Sequence, residues 1–286
     1  PENQTPSVTA GFFFLGEWDG MAAGGNGTMR IMSLNAWGGT LHAELLSYLA
    51  ETAPDVLCLQ EIIDSPETDR EWLEYRDGPH VLPQRANLFS EIRRALPDHA
   101  AFFCPAAQGA LWDGDRPVPS RWGLASFIHR SLPVIGQAQG FVHKGYEADG
   151  FGTHPRSRNA HAIRVFDHAG DRAVVVSQMH GLRDLAGKGD TPERLAQAER
   201  FLALTRQIAE PGDRVVMCGD FNVEPDSTTL RLLACAGMTE LVTAGGFAGT
   251  RTSSYKKPGK FADYMLIDDP AVVKSFKVVR SPEVSD

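Results

Sequence analysis

The sequence lacks three features that would each point to a particular class of protein. It has no apolar stretch near the roughly 20 residues that a membrane-spanning helix needs. Its four cysteines show no Cys-x-x-Cys spacing, and its acidic residues outnumber the basic ones by 36 to 28. These absences argue against a membrane span, against a cysteine-based zinc site, and against a protein that holds nucleic acid through bulk positive charge.

The cysteines predict the cellular compartment. Cys58 and Cys218 lie inside apolar, strand-like runs, which is typical of buried free thiols. Free thiols persist in a reducing environment. The sequence therefore predicts a cytoplasmic protein, and no feature points to an obligate protein partner.

The composition is that of a globular protein with a sizeable core. Hydrophobic residues make up 42% of the 286 residues and charged residues 22%, which allows one large domain or two small ones. Strand-like and helix-like segments alternate without a linker or an internal repeat. This pattern predicts a single layered α/β domain with mixed strand directions. The stretches 62–85, 105–121 and 143–157 interrupt it, and we expect them to be long loops that shape the substrate site.

Residues 1–28 differ from the rest of the chain. They are rich in Gly and polar residues, and the string Phe12-Phe13-Phe14-Leu15 is too short for the apolar part of a secretory signal. The first convincing strand begins at Met29. We expect residues 1–28 to be a flexible extension or a leader of artificial origin, and residues 29–286 to be the folded domain.

Six short strings place polar residues at or near the ends of apolar, strand-like runs. They are Ser33-Leu34-Asn35, Leu59-Gln60-Glu61, Met179-His180-Gly181, Cys218-Gly219-Asp220-Phe221-Asn222, Phe261-Ala262-Asp263-Tyr264 and the final Ser285-Asp286. Asn, Glu, His and an Asp-x-Asn pair are the groups needed to hold Mg²⁺ and to activate water beside a phosphate. One string alone would carry little weight, but the ordered set predicts an active site.

This set of strings resembles the endonuclease/exonuclease/phosphatase superfamily, which includes pancreatic deoxyribonuclease, abasic-site endonucleases, deadenylases, neutral sphingomyelinases and inositol-phosphate 5-phosphatases. The likeness runs over about residues 29–286. It implies a four-layer α/β sandwich, in which two packed mixed β-sheets are flanked by helices. It also implies metal-dependent hydrolysis of a phosphoester.

The resemblance implies a metal site at Glu61, with Asn35 and Asp286 as further ligands. Mg²⁺ takes few protein carboxylates and keeps waters and substrate oxygens, so this small set is sufficient. Mn²⁺ is a possible substitute. The alternatives are a salt bridge between Glu61 and a nearby Arg, and an Asx-turn at Asn35.

The resemblance also assigns catalytic roles. Asp220 would orient or deprotonate the attacking water, Asn222 would contact the same water and the phosphate, and His180 would stabilise charge on the phosphoryl oxygens. Asp263 would orient a further His. The alternatives are a turn with two capping side chains for Asp220 and Asn222, and a structural role for His180.

Two further regions are candidates for substrate contacts. Arg158 begins a predicted strand, and its forked donors suit a phosphate, although a surface ion pair is nearly as good an interpretation. The basic loop 250–260 borders the substrate in the family. A solvated, charged loop is at least as good an interpretation of that segment.

The family normally reads Ser-Asp-His near its end, whereas this sequence stops at Ser285-Asp286. We expect the native chain to continue with His and an apolar strand of about six residues. Without them, Asp263 would lack its imidazole partner and a sheet edge would be left unpaired.

The sequence thus predicts a Mg²⁺-dependent phosphodiesterase or nuclease that acts by in-line attack of an activated water, with nucleic acid as a candidate substrate. The first alternative is a phosphomonoesterase acting on a small or lipid phosphate. The second is a catalytically inactive binding scaffold. No Trp-Cys-Asp-Arg string of the inositol 5-phosphatases is present, which disfavours that branch.

Overall fold

The computed structural model of the protein describes residues 14–19, 28–78, 80–253, 255 and 259–285. The strands, in chain order, are β1 (Phe14–Asp19), β2 (Thr28–Asn35), β3 (Val56–Asp64), β4 (Trp72–Asp77), β5 (His80–Arg85), β6 (His99–Asp113), β7 (Arg116–His129), β8 (Val134–His143), β9 (Arg158–Asp167), β10 (Arg172–His180), β11 (Arg214–Asp220), β12 (Thr239–Glu240), β13 (Asp263–Ile267) and β14 (Val273–Val278). The helices are α1 (His42–Thr52), α2 (Leu88–Ala95), α3 (Pro192–Ile208), α4 (Thr228–Cys235) and α5 (Leu241–Ala244). None of these helices is long and apolar enough to cross a membrane.

The strands form two sheets. One sheet has eight strands in the order β14-β1-β2-β3-β7-β6-β4-β5, and the other has six in the order β12-β13-β11-β10-β9-β8. The pairs β2–β3 and β10–β11 are parallel, and the other pairs are antiparallel. Both sheets are therefore mixed, as the sequence predicted.

The sheets pack against each other, and helices cover their outer faces. The side chains of β3 contribute alternately to the core between the sheets and to the core beneath the helices, because successive side chains of a strand point to opposite faces. Val56 and Cys58 belong to the core between the sheets, whereas Leu57 and Leu59 pack in the cluster that includes residues of α1 and α2. A strand buried on both faces reads as a continuous apolar run. The predicted four-layer α/β sandwich is confirmed.

Two helices begin at a side-chain cap. The Thr191 side chain caps α3 by accepting a hydrogen bond from the Arg194 N–H, with Pro192 at the first helical position. Ser227 caps α4 in the same way through the Leu230 N–H. A short polar side chain satisfies one of the free N–H groups at a helix start, which explains where both helices begin.

The expectation for residues 1–28 is wrong for the segment that the structure describes. Residues 14–19 form β1, which pairs with β2 on one side and with β14 on the other. Phe14 and Trp18 are of residue types that favour strands. The backbone of this segment pairs with the neighbouring strands β2 and β14. β2 is thus paired with β1 on one side and with β3 on the other.

Two predicted loops are hairpins. The stretch 62–85 contains the end of β3 and the hairpin β4–β5. The stretch 105–121 is the outer half of a long hairpin made by β6 and β7, which turns at Gly114-Asp115. The stretch 143–157 makes only isolated bridges to Ala107 and Gln108.

Candidate active site

The C-terminal ends of β2, β10 and β11 and a bulge in β3 meet at one end of the core between the sheets. Asn35 ends β2 and Asp220 ends β11, and the Asn35 Nδ2 donates to Asp220 Oδ2 at 3.0 Å across 185 positions of sequence. His180 ends β10 and lies opposite Asp220 in the parallel β10–β11 pair. The two parallel strand pairs therefore bring the predicted polar residues to one place.

Asp220 is the most heavily hydrogen-bonded group of the site. Its side chain is 1% exposed. Its Oδ2 accepts from Asn35 Nδ2 at 3.0 Å and from Arg251 Nη2 at 2.7 Å, and its Oδ1 accepts from the Asn222 N–H at 3.0 Å. Burial by itself would raise the pKa of the Asp220 carboxyl, but the Arg251 cation and the Asn35 amide hold the pKa below its usual value. Asp220 is therefore an ionised carboxylate inside the protein.

His180 lies between two carboxylates. Its Nε2 is 3.8 Å from Glu61 Oε1 and 3.9 Å from Asp220 Oδ2, and its ring centroid is 5.2 Å from that of Trp122. Burial and the nearby Arg158 cation place the pKa of His180 well below its usual value. His180 is thus a neutral imidazole, which offers one donor and one acceptor. Its Nδ1 has no hydrogen-bond partner among the described residues.

Glu61 reaches the site because β3 is irregular there. The register between β3 and β7 shifts between Leu59 and Ile62, and Glu61 has a left-handed backbone with φ of +57°. A bulge of this kind re-aims a side chain, and the Glu61 side chain is 27% exposed while Gln60 is fully buried. Asn222 has a φ of +54°. Strained non-glycine residues cluster at functional sites.

The donor set of the site is small and consists of oxygen atoms. The described residues contain no group of three or more His, Cys, Asp or Glu side chains that could hold an ion, and Asp286 lies outside them. The hard oxygen donors at hand are the Glu61 carboxylate and the Asn35 amide oxygen, which also accepts from the Trp37 N–H at 2.9 Å in an Asx-turn. A site with few protein ligands suits Mg²⁺, which keeps several waters, and does not suit Zn²⁺.

The terminal Ser-Asp string also reaches this region. Ser285 is buried, and its Oγ donates to the backbone carbonyl of Asn35 at 2.5 Å. This contact ties the end of the described chain to the end of β2. The predicted proximity of this string to Asn35 is therefore observed for Ser285.

Arg158 is buried beside the site and is not in a surface ion pair. Its Nε donates to the Gly181 carbonyl at 2.7 Å and its Nη1 to the Ser157 carbonyl at 3.1 Å. Its guanidinium carbon lies 5.0 Å from the Trp122 ring centroid. Burial lowers the pKa of Arg158 to about 10, so the group remains a cation at neutral pH.

Asp263 lies directly opposite Asp220 in the antiparallel β11–β13 pair. Its Oδ2 is 3.9 Å from Arg251 Nε, and its backbone N–H donates to Thr250 Oγ1 at 3.1 Å. The described residues therefore place a guanidinium beside Asp263, where the family resemblance implies an imidazole.

Sequence reasoning missed two residues of the site. Arg251 lies in the basic loop that was expected to border the substrate, but no string marked it individually. Trp122 lies on β7 and contacts both His180 and Arg158. Its only sequence signal is an aromatic residue directly before Gly123 in a strand-like run, which is too common a pattern to single out a site residue.

A buried polar chain joins the two sheets directly beneath the site. Gln60 Nε2 donates to Gln178 Oε1 at 2.9 Å, and Gln178 Nε2 donates at 2.8 Å both to the Ala125 carbonyl and to Ser126 Oγ. Gln60 precedes Glu61, and Gln178 is two positions before His180. Because the chain crosses from one sheet to the other, it fixes the position of Glu61 relative to His180.

Replacing Gln178 with Leu is expected to destabilise the protein by about 1–3 kcal/mol, because the buried Gln60 amide and the Ala125 carbonyl would lose their partner. Ser177→Ala is the matched control. Ser177 is equally buried on the same strand, but its Oγ has no described partner. Equilibrium unfolding in urea measures both variants. Equal stability of Gln178→Leu and Ser177→Ala would show that the chain does not hold the sheets together.

Comparison with known proteins agrees with this geometry. A sequence model described as the Endonuclease/Exonuclease/phosphatase family matches residues 32–286. No curated protein sequence matches the chain significantly. Solved structures with a similar fold include the human Nocturnin catalytic domain with bound sulfate anion, with a TM-score of 0.55 and 18% identity over 84% of this chain and 83% of that chain.

Two further solved structures are also similar to this chain. Bacteroides thetaiotaomicron mannosyl-6-phosphatase Bt3783 has a TM-score of 0.57 and 10% identity over 90% of this chain and 96% of that chain. D. rerio TDP2 complexed with single strand DNA product has a TM-score of 0.53 and 17% identity over 84% and 83%. At these identities the likenesses show the fold, whereas the family model covers nearly the whole described chain. The chain belongs to the endonuclease/exonuclease/phosphatase family.

Proposed function

We propose that this protein is a Mg²⁺-dependent phosphodiesterase that hydrolyses its substrate by in-line attack of water. The observation that carries the proposal is the buried, ionised Asp220, which lies with Asn35, Asn222 and His180 where the two sheets meet. An ionised carboxylate beside neutral donors and a cation can take a proton from water while the other groups hold a phosphate.

Each residue would have a separate task. Glu61 and Asn35, with Asp286, would hold the ion, which when bound neutralises phosphate charge and lowers the pKa of water. Asp220 would accept the proton of the attacking water, and Asn222 would orient that water. The neutral His180 would donate a hydrogen bond to a phosphoryl oxygen, and Arg158 would add positive charge behind it. Asp263 would hold the cationic group that faces it.

Two substrate classes fit the site. A diester of single-stranded nucleic acid agrees with the formal net charge of −8, because a local site does not need a large basic surface. The second candidate is a phosphomonoester. Its support is the number of cations near the site, since Arg158, Lys188 and Arg251 all lie within electrostatic range of Asp220, and a monoester carries more negative charge than a diester.

A substrate panel tests the proposal. The protein would be incubated with Mg²⁺, with Mn²⁺ and with EDTA, in the presence of single-stranded DNA, RNA, abasic duplex DNA and phosphorylated sugars and lipids. We expect metal-dependent release of product from one class, and none from the Asp220→Asn variant. Failure to hydrolyse any of these substrates with either metal would favour the binding-scaffold alternative.

A further inference from the structure

Arg251 makes the shortest side-chain contact that the structure shows for Asp220. Its Nη2 donates to Asp220 Oδ2 at 2.7 Å, and the two side chains are 7% and 1% exposed. Its Nε lies 3.9 Å from Asp263 Oδ2. A cation thus lies between the two carboxylates at the centre of the site.

This contact opposes the role of Asp220 as a base. A carboxylate has about four acceptor positions, and Asp220 already accepts from Asn35, from the Asn222 N–H and from Arg251. The Oδ2 atom accepts from both Asn35 and Arg251, which uses both of its acceptor positions. An attacking water can hydrogen-bond to Oδ2 once Arg251 has moved away, because an acceptor position is then freed.

The backbone of Arg251 is fixed, so only its side chain needs to move. The N–H groups of Thr250 and Arg251 both donate to the Lys260 carbonyl, at 2.7 and 2.9 Å. Thr250 Oγ1 accepts from the N–H groups of Ala262 and Asp263 at 3.0 and 3.1 Å, next to β13. The Tyr255 ring centroid lies 5.4 Å from the guanidinium carbon, which offers the cation a contact that does not depend on Asp220.

We propose that Arg251 changes partner when substrate binds: its guanidinium leaves Asp220 and binds the phosphoryl oxygens. The exchange rests on the proposed function, because it assigns Asp220 to the attacking water. The planar fork of a guanidinium matches two phosphate oxygens as well as it matches a carboxylate. Phosphate binding and the release of the base then occur together, so the base becomes available only when there is a phosphate to attack.

Titration with inorganic phosphate tests the exchange without any need for turnover. Calorimetry with and without Mg²⁺ would compare the native protein with Arg251→Gln, Asp220→Asn and the double variant. Arg251→Gln should weaken phosphate binding at least about tenfold, the size expected for a charge-assisted hydrogen bond. Asp220→Asn should strengthen it, because Arg251 would then have no competing carboxylate. The double variant should lose that gain. Arg206→Gln, an exposed position on α3, should change nothing.

Each result distinguishes between the two proposals. The exchange would be overturned if Arg251→Gln folded normally and bound phosphate as tightly as the native protein. It would also be overturned if Asp220→Asn strengthened phosphate binding equally in the native background and in the Arg251→Gln background. Arg251→Lys, which keeps the charge, provides the same comparison if the Gln variant is unfolded, and it should retain part of the affinity. The native protein could fail to hydrolyse any substrate while the variants still show the predicted order of phosphate affinities. In that case the hydrolase assignment fails and the exchange of partners is supported.

Discussion

Asp220→Asn is expected to lower kcat by about 10²–10⁴, the range for loss of a general base, without raising KM. The Asn side chain keeps the shape of the Asp and can still accept a hydrogen bond through its one oxygen, from either Asn35 or the Asn222 N–H, but it cannot accept a proton from water. The loss should therefore appear in the transition state and not in ground-state binding. Steady-state kinetics on the substrate identified by the panel would measure it.

The control for this prediction is Asp226→Asn. Asp226 lies on the same connection after β11, but it is exposed and its carboxylate has no described contact. Its removal should leave kcat unchanged. If the Asp220→Asn variant turned over within about threefold of the native rate, the active site would have been misplaced. Loss of a catalytic base should lower the rate by much more than that.

Glu61→Gln is expected to weaken Mg²⁺ or Mn²⁺ binding by more than about 100-fold, because groups that only orient a metal ligand already contribute 10–100-fold. The β3 bulge places the Glu61 carboxylate from the eight-stranded sheet 3.8 Å from His180 Nε2. Calorimetric titration with Mn²⁺ would measure the affinity. The amide keeps the size of the side chain, so the fold should be unchanged by circular dichroism.

The matched control for the metal prediction is Glu67→Gln. Glu67 is exposed, lies six positions further along the chain, and has no described side-chain hydrogen bond. It should bind metal like the native protein. If Glu61→Gln retained full metal occupancy, Glu61 would not be the ligand, and the salt-bridge interpretation of this residue would regain weight.

The candidate site was predictable because its residues sit at positions that follow from local sequence. Asn35, His180 and Asp220 each end a largely apolar strand, and Glu61 follows the apolar first part of β3. Such apolar runs are recognisable in a sequence as strands covered on both faces. The parallel pairing of β2 with β3 and of β10 with β11 then brings the strand ends together. The sequence does not contain the distances between these groups.

The hairpins were missed because proline and small polar residues concealed them. Pro83 lies on β5, the outermost strand of its sheet, where the missing N–H is tolerated. Pro117 and Pro119 lie on β7 beyond the point where it pairs with β3. Asp113-Gly114 at the turn was an available hairpin signal, but the flanking residues do not alternate clearly enough to support it.

Arg251 could not be predicted for a different reason. Its position depends on how the connection between α5 and β13 folds back, which is fixed by backbone contacts between Thr250, Arg251 and Lys260. Contacts between loop residues have no periodicity that a sequence can reveal. The loop was expected to border the substrate, and the structure places one of its side chains against Asp220.

The meeting of the two sheets has a consequence for biosynthesis. Asn35 and Asp220 are 185 positions apart, and a ribosome adds about 5–20 residues per second, so roughly 10–40 s separate the appearance of these two strand ends. Contacts of such long range form late, after the entropy of closing the intervening chain has been overcome. A nascent chain that ends after β3 carries Asn35 and Glu61, but it has neither His180 nor Asp220. Premature hydrolysis by unfinished chains is therefore not expected, and a ribosome-bound chain stalled before β11 should be silent in any phosphoesterase assay.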